Sequence, residues 1–130
     1  MNKYSYHYDI AVIGGGPAGL AAAITAARMG KRPLLVDKNG YLGGNMTLGL
    51  PLLGFLDKHG ERCIAGFGEE LVQRLRTRGA AYDHRFCPKH NSVTNVDAEA
   101  VKTVALEMCR EAGADILLHL ETHHVEVIDG

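Results

Sequence analysis

A chain of 130 residues is long enough for one domain with a core of its own. Its 46% hydrophobic and 22% charged residues are the composition of a soluble globular protein, and a net charge of −1, with no run of one sign, gives nucleic acid or an anionic membrane no electrostatic grip. No apolar stretch is long enough to span a bilayer, and the polar, aromatic start MNKYSYHYD lacks the apolar core of a signal peptide. Cys63, Cys87 and Cys109 are odd in number and far apart, which fits a cytoplasmic chain with reduced thiols.

Residues 8–13 form a continuous apolar run bounded by glycine and predict a buried strand of a parallel sheet. Residues 17–29 predict a helix, with Leu20, Ala23, Ile24 and Ala27 on one face, Pro17 in its first turn and Gly30 as its stop. Residues 33–36 predict a second strand, which ends at Asp37. Strand, helix and strand within about 30 residues have the size of a βαβ unit.

Residues 39–66 hold seven glycines among apolar side chains such as Met46, Leu48, Leu50, Leu52, Leu53 and Phe55. The segment is too long for an ordinary connection and too apolar for disorder, so it is expected to be a functional loop. A helix is predicted over 67–78, with Leu71, Val72 and Leu75 inward. The charges Glu69, Glu70, Arg74, Arg76 and Arg78 then read as its solvated face. Residues 80–96 look irregular, with a short strand near 92–96. Asp97 is a good N-cap for a helix over 98–112, in which Val101, Val104, Ala105, Met108 and Ala112 recur at helical spacing. Residues 115–120 and 124–128 are strand-like, and Asp129-Gly130 is a dipeptide of hairpin turns.

Gly14, Gly16 and Gly19 make a G-x-G-x-x-G that follows a predicted strand and opens a predicted helix, the context in which the motif binds a dinucleotide. Gly14 permits the tight turn. Gly16 lets a pyrophosphate reach the backbone, and Gly19 lets the helix pack against the sheet. Asp37 stands where an acid would accept from a ribose diol, and its charge disfavours a 2′-phosphate. The motif alone leaves NAD and FAD open.

The stretch GGGPAGLAAAITAARMGKRPLLVDKNGYLGGNMTLGL resembles the N-terminus of FAD-dependent oxidoreductases of the glutathione-reductase-like superfamily. LGGNMTLGLPLLGFLDKHGERCIAGFGEELVQRL and VDAEAVKTVALEMCREAGADILLH resemble the FAD-dependent oxidoreductase family that groups with heterodisulfide-reductase A-type and fumarate-reductase-like flavoproteins. The resemblance implies an α/β, Rossmann-like FAD/NAD(P)-binding fold with a parallel sheet and FAD as cofactor. Gly14, Gly16, Pro17, Ala18 and Gly19 would hold the pyrophosphate. Asp37, where such families more often carry Glu, would bind the ribose, with Lys38 beside it. Gly43, Gly44, Asn45 and Met46 would pass close to the phosphates and the flavin side. Val125, on the strand after His124, would lie beside adenine, although HLETHHV is two residues longer than the family pattern.

The resemblance also implies that the chain is the N-terminal part of a longer protein, truncated relative to a complete FAD domain and inactive alone. It names neither electron donor nor substrate, and it allows a homo-oligomer of the full-length protein. An NAD-binding dehydrogenase and a non-catalytic nucleotide-binding module are the alternatives.

No metal site is expected. His123 and His124 are adjacent and would point to opposite faces of a strand, and His119 has no partner at ligand spacing. His84 and His90 are not expected to reach a substrate cavity. Cys63 lies in the glycine-rich loop but has no C-x-x-C partner, so an idle thiol is expected. Cys87 and Cys109 read as structural. No general acid or base is assigned.

Overall fold

The computed structural model describes residues 7–128. The expectations about the start of the chain through residue 6, and the turn at Asp129-Gly130, lie outside the described residues. β1 (Ile10–Ile13) leads through the glycine turn into α1 (Pro17–Arg28), which returns to β2 (Pro33–Val36). β1 and β2 run parallel, with Ile10 opposite Pro33 and Ile13 opposite Val36. The chain comes back to this sheet only at β6 (Asp115–Leu117), which lies parallel to β2 on its other edge. The order β1-β2-β6 makes β2 central, and Leu35 and Val36 are buried there.

β1 departs from the expected buried strand. Ile10 is 39% and Ile13 56% exposed. The cause is position: β1 pairs with β2 alone, so it is an edge strand among the described residues.

Between β2 and β6 run α2 (Phe67–Thr77), α3 (Ala98–Ala112) and a small antiparallel sheet. α3 packs on both α1 and α2. Their apolar stripes meet in one core, with Leu20 and Ile24 of α1, Leu71 and Leu75 of α2, and Val101, Val104 and Met108 of α3. Asp97 caps α3 as expected, its Oδ1 accepting from Ala100 N at 2.9 Å, and Gly113 ends the helix in the left-handed region.

The charges read as a solvated face of α2 form a clasp across the helices. Arg28 of α1 donates twice to Glu70, at 2.7 and 2.8 Å. Arg74 bridges Glu70 at 2.9 Å and Glu111 of α3 at 2.6 Å. The Arg28 guanidinium above all, with Arg74, holds the Glu70 carboxyl below its usual range against the opposing effect of burial.

The segment over 39–66 is ordered by short elements. One helical turn, Gly44–Thr47, is followed by β3 (Leu52–Leu53) and a bridge between Leu56 and Arg62. β3 pairs with β5 (Asn91–Thr94), which pairs with β4 (Arg85–Cys87). The short strand expected near 92–96 is β5, while β4 and the hairpin turn fall in the stretch expected to be irregular. The inner face of the hairpin is polar, since Ser92 and Thr94 are fully buried, so no apolar alternation announces it.

β6 stops at Leu117, short of the expected 120. His119 takes φ 56 and breaks the extended path. Residues 124–128 form no strand, a second correction, and Val125 is 73% exposed. No neighbouring strand offers them a ladder among the described residues. No described helix is long and apolar enough to cross a membrane.

Truncating the core should therefore cost more than removing the cap. Leu20→Ala and Met108→Ala are expected to destabilise by about 3 kcal/mol each, and Asp97→Ala by about 1 kcal/mol. Urea unfolding followed by circular dichroism checks both values.

Candidate functional site

The chain leaves the carboxyl end of β1 through Gly14, whose φ is 101 and whose N–H donates to Val36 O at 2.7 Å. The turn is thus tied to β2 while it reverses. A Cβ on Gly19 would overlap the carbonyl oxygen of Gly14, so α1 can begin against the turn only with glycine there. Gly16 is different. The nearest atom to a Cβ at that position is Gly44 Cα, at 4.0 Å, so nothing inside the fold demands a glycine.

Gly15 is held on both sides. Its N–H donates to Asp37 Oδ2 at 2.6 Å, and its carbonyl accepts from Gly43 N at 2.8 Å. Asp37, at the end of β2, is 8% exposed. Its Oδ1 accepts from Asn39 N at 2.7 Å and from Asn39 Nδ2 at 3.0 Å. Three N–H donors offset the cost of burying the carboxylate. Gly43 takes φ 118, and a Cβ on Gly44 would lie 2.8 Å from Gly16 Cα. The two glycine segments are therefore in backbone contact.

Gly16 caps α1 without any side-chain hydrogen bond, and no acid stands in the first turn. Pro17 has no N–H. Among the described residues, the amides of Gly16, Ala18 and Gly19 have no acceptor. Free amides at the positive end of a helix dipole favour an anion such as phosphate.

Beside this turn opens a cavity of about 260 Å³, lined by Ile13, Gly14, residues 36–39 and residues 120–122. It lies past the carboxyl ends of the parallel strands, where open α/β sheets bind ligands. The chain after β6 is fastened there. Asp37 N donates to Leu117 O at 3.0 Å, Leu120 N to Asp37 O at 3.1 Å, and His119 N to Asn39 O at 3.2 Å. Leu120, Glu121 and Thr122 form that wall, and Val125 is not among its lining residues.

A second cavity, of about 220 Å³, meets the first turn of α1 at Pro17. Pro17, Met46, Leu52, Leu53, Phe55, Phe67, Gly68 and Leu71 line it, and none of them is charged. Its Phe55 wall is stacked on His84, ring centroids 4.4 Å apart. His84 Nε2 meets Glu69 Oε2 at 2.9 Å and Nδ1 meets Thr94 Oγ1 at 2.6 Å, so both ring nitrogens are used. Burial raises the Glu69 carboxyl, but hydrogen bonds from Gln73, His84 and Arg62 outweigh it and hold the group below its usual value. His84 braces the cavity wall without lining the cavity.

The structure brings Gly14, Gly16, Pro17, Ala18, Gly19, Gly43 and Gly44 around one helix start. Asn45 and Lys38 are exposed beside them. Met46 turns into the core at 7% exposure and reaches only the apolar cavity. The sequence reading missed Gly15, Asn39 and the wall at 120–122. The Asp-x-Asn spacing at Asp37 and Asn39 was the available signal, because Asp side chains bond backbone two residues on. Among the described residues no three His, Cys, Asp or Glu side chains converge on a metal position. Cys63 is exposed, whereas Cys109 is buried and its thiol is pushed up to about 11.

The family model described as FAD dependent oxidoreductase matches residues 9–130. The chain is 52% identical over 42 residues to the soluble pyridine nucleotide transhydrogenase of Chromohalobacter salexigens, a match covering 32% of this chain and 9% of that protein. It is 54% identical over 41 residues to the thiamine thiazole synthase of Aeropyrum pernix, covering 32% and 15%. The matched segments are thus a small part of these relatives. Among solved structures, THI4 of Thermovibrio ammonificans superimposes with a TM-score of 0.56 at 24% identity, over 85% of this chain and 38% of that one.

Two of the glycines should separate fold from function. Gly19→Ala is expected to destabilise by about 1–3 kcal/mol through its collision with the turn, while Gly16→Ala leaves the unfolding midpoint nearly unchanged. Thermal unfolding of the two variants reads the difference. A thiol reagent at pH 8 is expected to modify Cys63 in the native state and Cys109 only after unfolding, which mass spectrometry of the labelled peptides checks.

Proposed function

The chain belongs to the FAD dependent oxidoreductase family, and we propose that it forms the FAD-binding portion of a flavin oxidoreductase. The observation that carries the reading is the joining of two glycine segments through Gly15, with free helix amides on one side and a cavity at the strand ends on the other. The residues fit the cofactor. A cradle in which side chains are missing at Gly16 and Gly44 admits a pyrophosphate against bare backbone.

In this reading the amides of Gly16, Ala18 and Gly19 hold the pyrophosphate. Gly43, Gly44 and Asn45 close on it from the opposite side. The adenosine end occupies the cavity over Asp37, with Lys38 at its rim and Leu120 to Thr122 as its wall. Residues 39–66 form the cofactor- and substrate-side part of the domain, with Met46 and the apolar cavity toward the flavin. FAD, when bound, supplies hydride and electron transfer. This chain's own residues bind and orient the cofactor. They include no assigned proton donor, and the electron donor and substrate are unspecified. Three free cysteines support a cytoplasmic setting.

The test is a visible absorption spectrum of the purified chain, with release of any chromophore by denaturation and titration with FAD and NAD. FAD is expected to be released or to bind, with its fluorescence changed on binding. Gly16→Val is expected to weaken FAD binding by about tenfold or more, with an unchanged fold by circular dichroism, since a side chain there displaces the phosphate rather than the protein. A protein that stays colourless and prefers NAD overturns the FAD reading.

A further inference from the structure

We propose that Thr47 is a positioning residue for the pyrophosphate: its hydroxyl fixes the peptide between Gly44 and Asn45, so that the cofactor meets the Asn45 N–H and not the Gly44 carbonyl oxygen. The inference rests on the FAD-binding reading above. That peptide stands at the edge of the phosphate cradle, because Gly44 and Gly16 touch through bare backbone: a Cβ on Gly44 would lie 2.8 Å from Gly16 Cα. Whichever group it turns outward adds to, or opposes, the free amides at the start of α1. An N–H attracts an anion there and a carbonyl oxygen repels it.

The choice has to be made by something outside the two glycines. Gly43 and Gly44 take φ of 118 and 52, and glycine lets a peptide plane rotate between orientations at little steric cost. Gly43 is fastened at both ends, its N–H donating to Gly15 O at 2.8 Å and its carbonyl accepting from Met46 N at 3.1 Å. For the next peptide the tie is a side chain: Thr47 Oγ1 donates to Gly44 O at 2.7 Å. In a planar trans peptide the C=O and the N–H point in opposite directions. With its oxygen held by Thr47, the peptide directs the Asn45 N–H away from that side chain. Among the described residues neither Gly44 N nor Asn45 N has an acceptor. The rest of Thr47 has a separate task. Its methyl lies against Gly43, where a Cβ would strike it, so packing and orientation belong to different atoms of one residue.

The experiment titrates ADP and adenosine into the nitrogen-15-labelled chain, as wild type, Thr47→Val and Thr47→Ser, and follows the amide signals by NMR. In wild type the Asn45 amide is expected to shift with ADP and to stay in place with adenosine. An Asn45 amide that ADP leaves unmoved, while those of Gly16, Ala18 and Gly19 shift, overturns the inference. This arm decides even if a variant fails to fold. Thr47→Val keeps the branched shape and loses the hydroxyl. It is expected to weaken ADP by about fivefold to tenfold, the scale of one hydrogen bond, with adenosine within about twofold of wild type. Thr47→Ser keeps the hydroxyl and should bind ADP within about twofold of wild type. Equal weakening of both ligands by Thr47→Val, or a loss of ADP binding in Thr47→Ser as large as in Thr47→Val, marks a packing role and overturns the inference. So does a Thr47→Val chain that binds ADP as wild type does. A wild-type chain that binds neither ADP nor FAD overturns the FAD-binding reading itself, an outcome distinct from all of these.

Discussion

The arrangement of the site depends on one buried peptide. Gly15 donates to Asp37 and accepts from Gly43, and these two bonds tie together segments separated by more than twenty residues on one side and nearly thirty on the other. Without a partner, the Asp37 carboxylate could not remain in so enclosed a place, because an unpaired buried charge costs several kcal/mol. With three N–H donors it becomes a rigid joint. The turn after β1 is then held from beneath by the acid, from the side by Gly43 and from the end by α1. The amides left over are those at the start of the helix.

Around that joint the fold divides into a half packed on an apolar core and a half held by hydrogen bonds. The first is βαβ with α3, where Leu20, Ile24, Leu35, Val101, Val104 and Met108 are fully buried and the helices are closed by Arg28, Glu70, Arg74 and Glu111. Those ion pairs are partly exposed, so each adds little stability by itself. Their value is in registering three helices, which sets where α1 points. The other half is the small sheet of β3, β4 and β5. Its inner face is polar, with Ser92 bonded to Leu56 N at 3.0 Å and Thr94 to His84, and it sits over α2 through a hydrogen-bonded network more than through apolar packing.

This difference explains what could be read from the residues. α1, β2 and α3 have ends marked by Pro17, Asp37, Asp97 and Gly113, and their apolar spacing matches their burial, so element type and order were legible. The glycine turn was legible as well, since Gly14 takes a positive φ and Gly19 leaves no room for a Cβ, as the motif requires. Of the hairpin only β5 was legible, as a short strand near 92–96; β4 was not, because Arg85 and Phe86 are exposed and three residues are too few to show an alternation. The exposure of β1 was hidden for another reason: an edge strand and a central strand can share the same apolar run, and only the pairing distinguishes them. The strand expected over 124–128 was misread because an apolar, β-branched stretch forms a strand only where a neighbour offers it a ladder. The fastening of Leu120 to Asp37 O brings residues 120–122 to the cavity and leaves Val125 beyond it. The joint at Gly15 was invisible because a glycine between two motif glycines carries no signal of its own.

The two cavities place different chemistry on the two sides of one helix start. On the β1–β2 side the wall contains Asp37, Lys38, Asn39 and Glu121, next to backbone groups that can bond a sugar or a base. On the α2 side it is made only of apolar side chains and Gly68, with Phe55 braced from behind by His84. Pro17 and Gly14 stand between them, at the point where the chain offers free amides. A ligand crossing that point would exchange a polar setting for an apolar one over the length of a single turn. Its charge would be balanced in the middle, by the unpaired amides at the helix start. An extended molecule with a polar end, a central anion and a flat apolar end satisfies all three regions at once. A simple phosphate or a nucleoside satisfies one. That order of three environments supports the proposed placement of a flavin dinucleotide beyond what the glycine spacing does, because spacing accounts for a turn whereas the environments bear on the ligand.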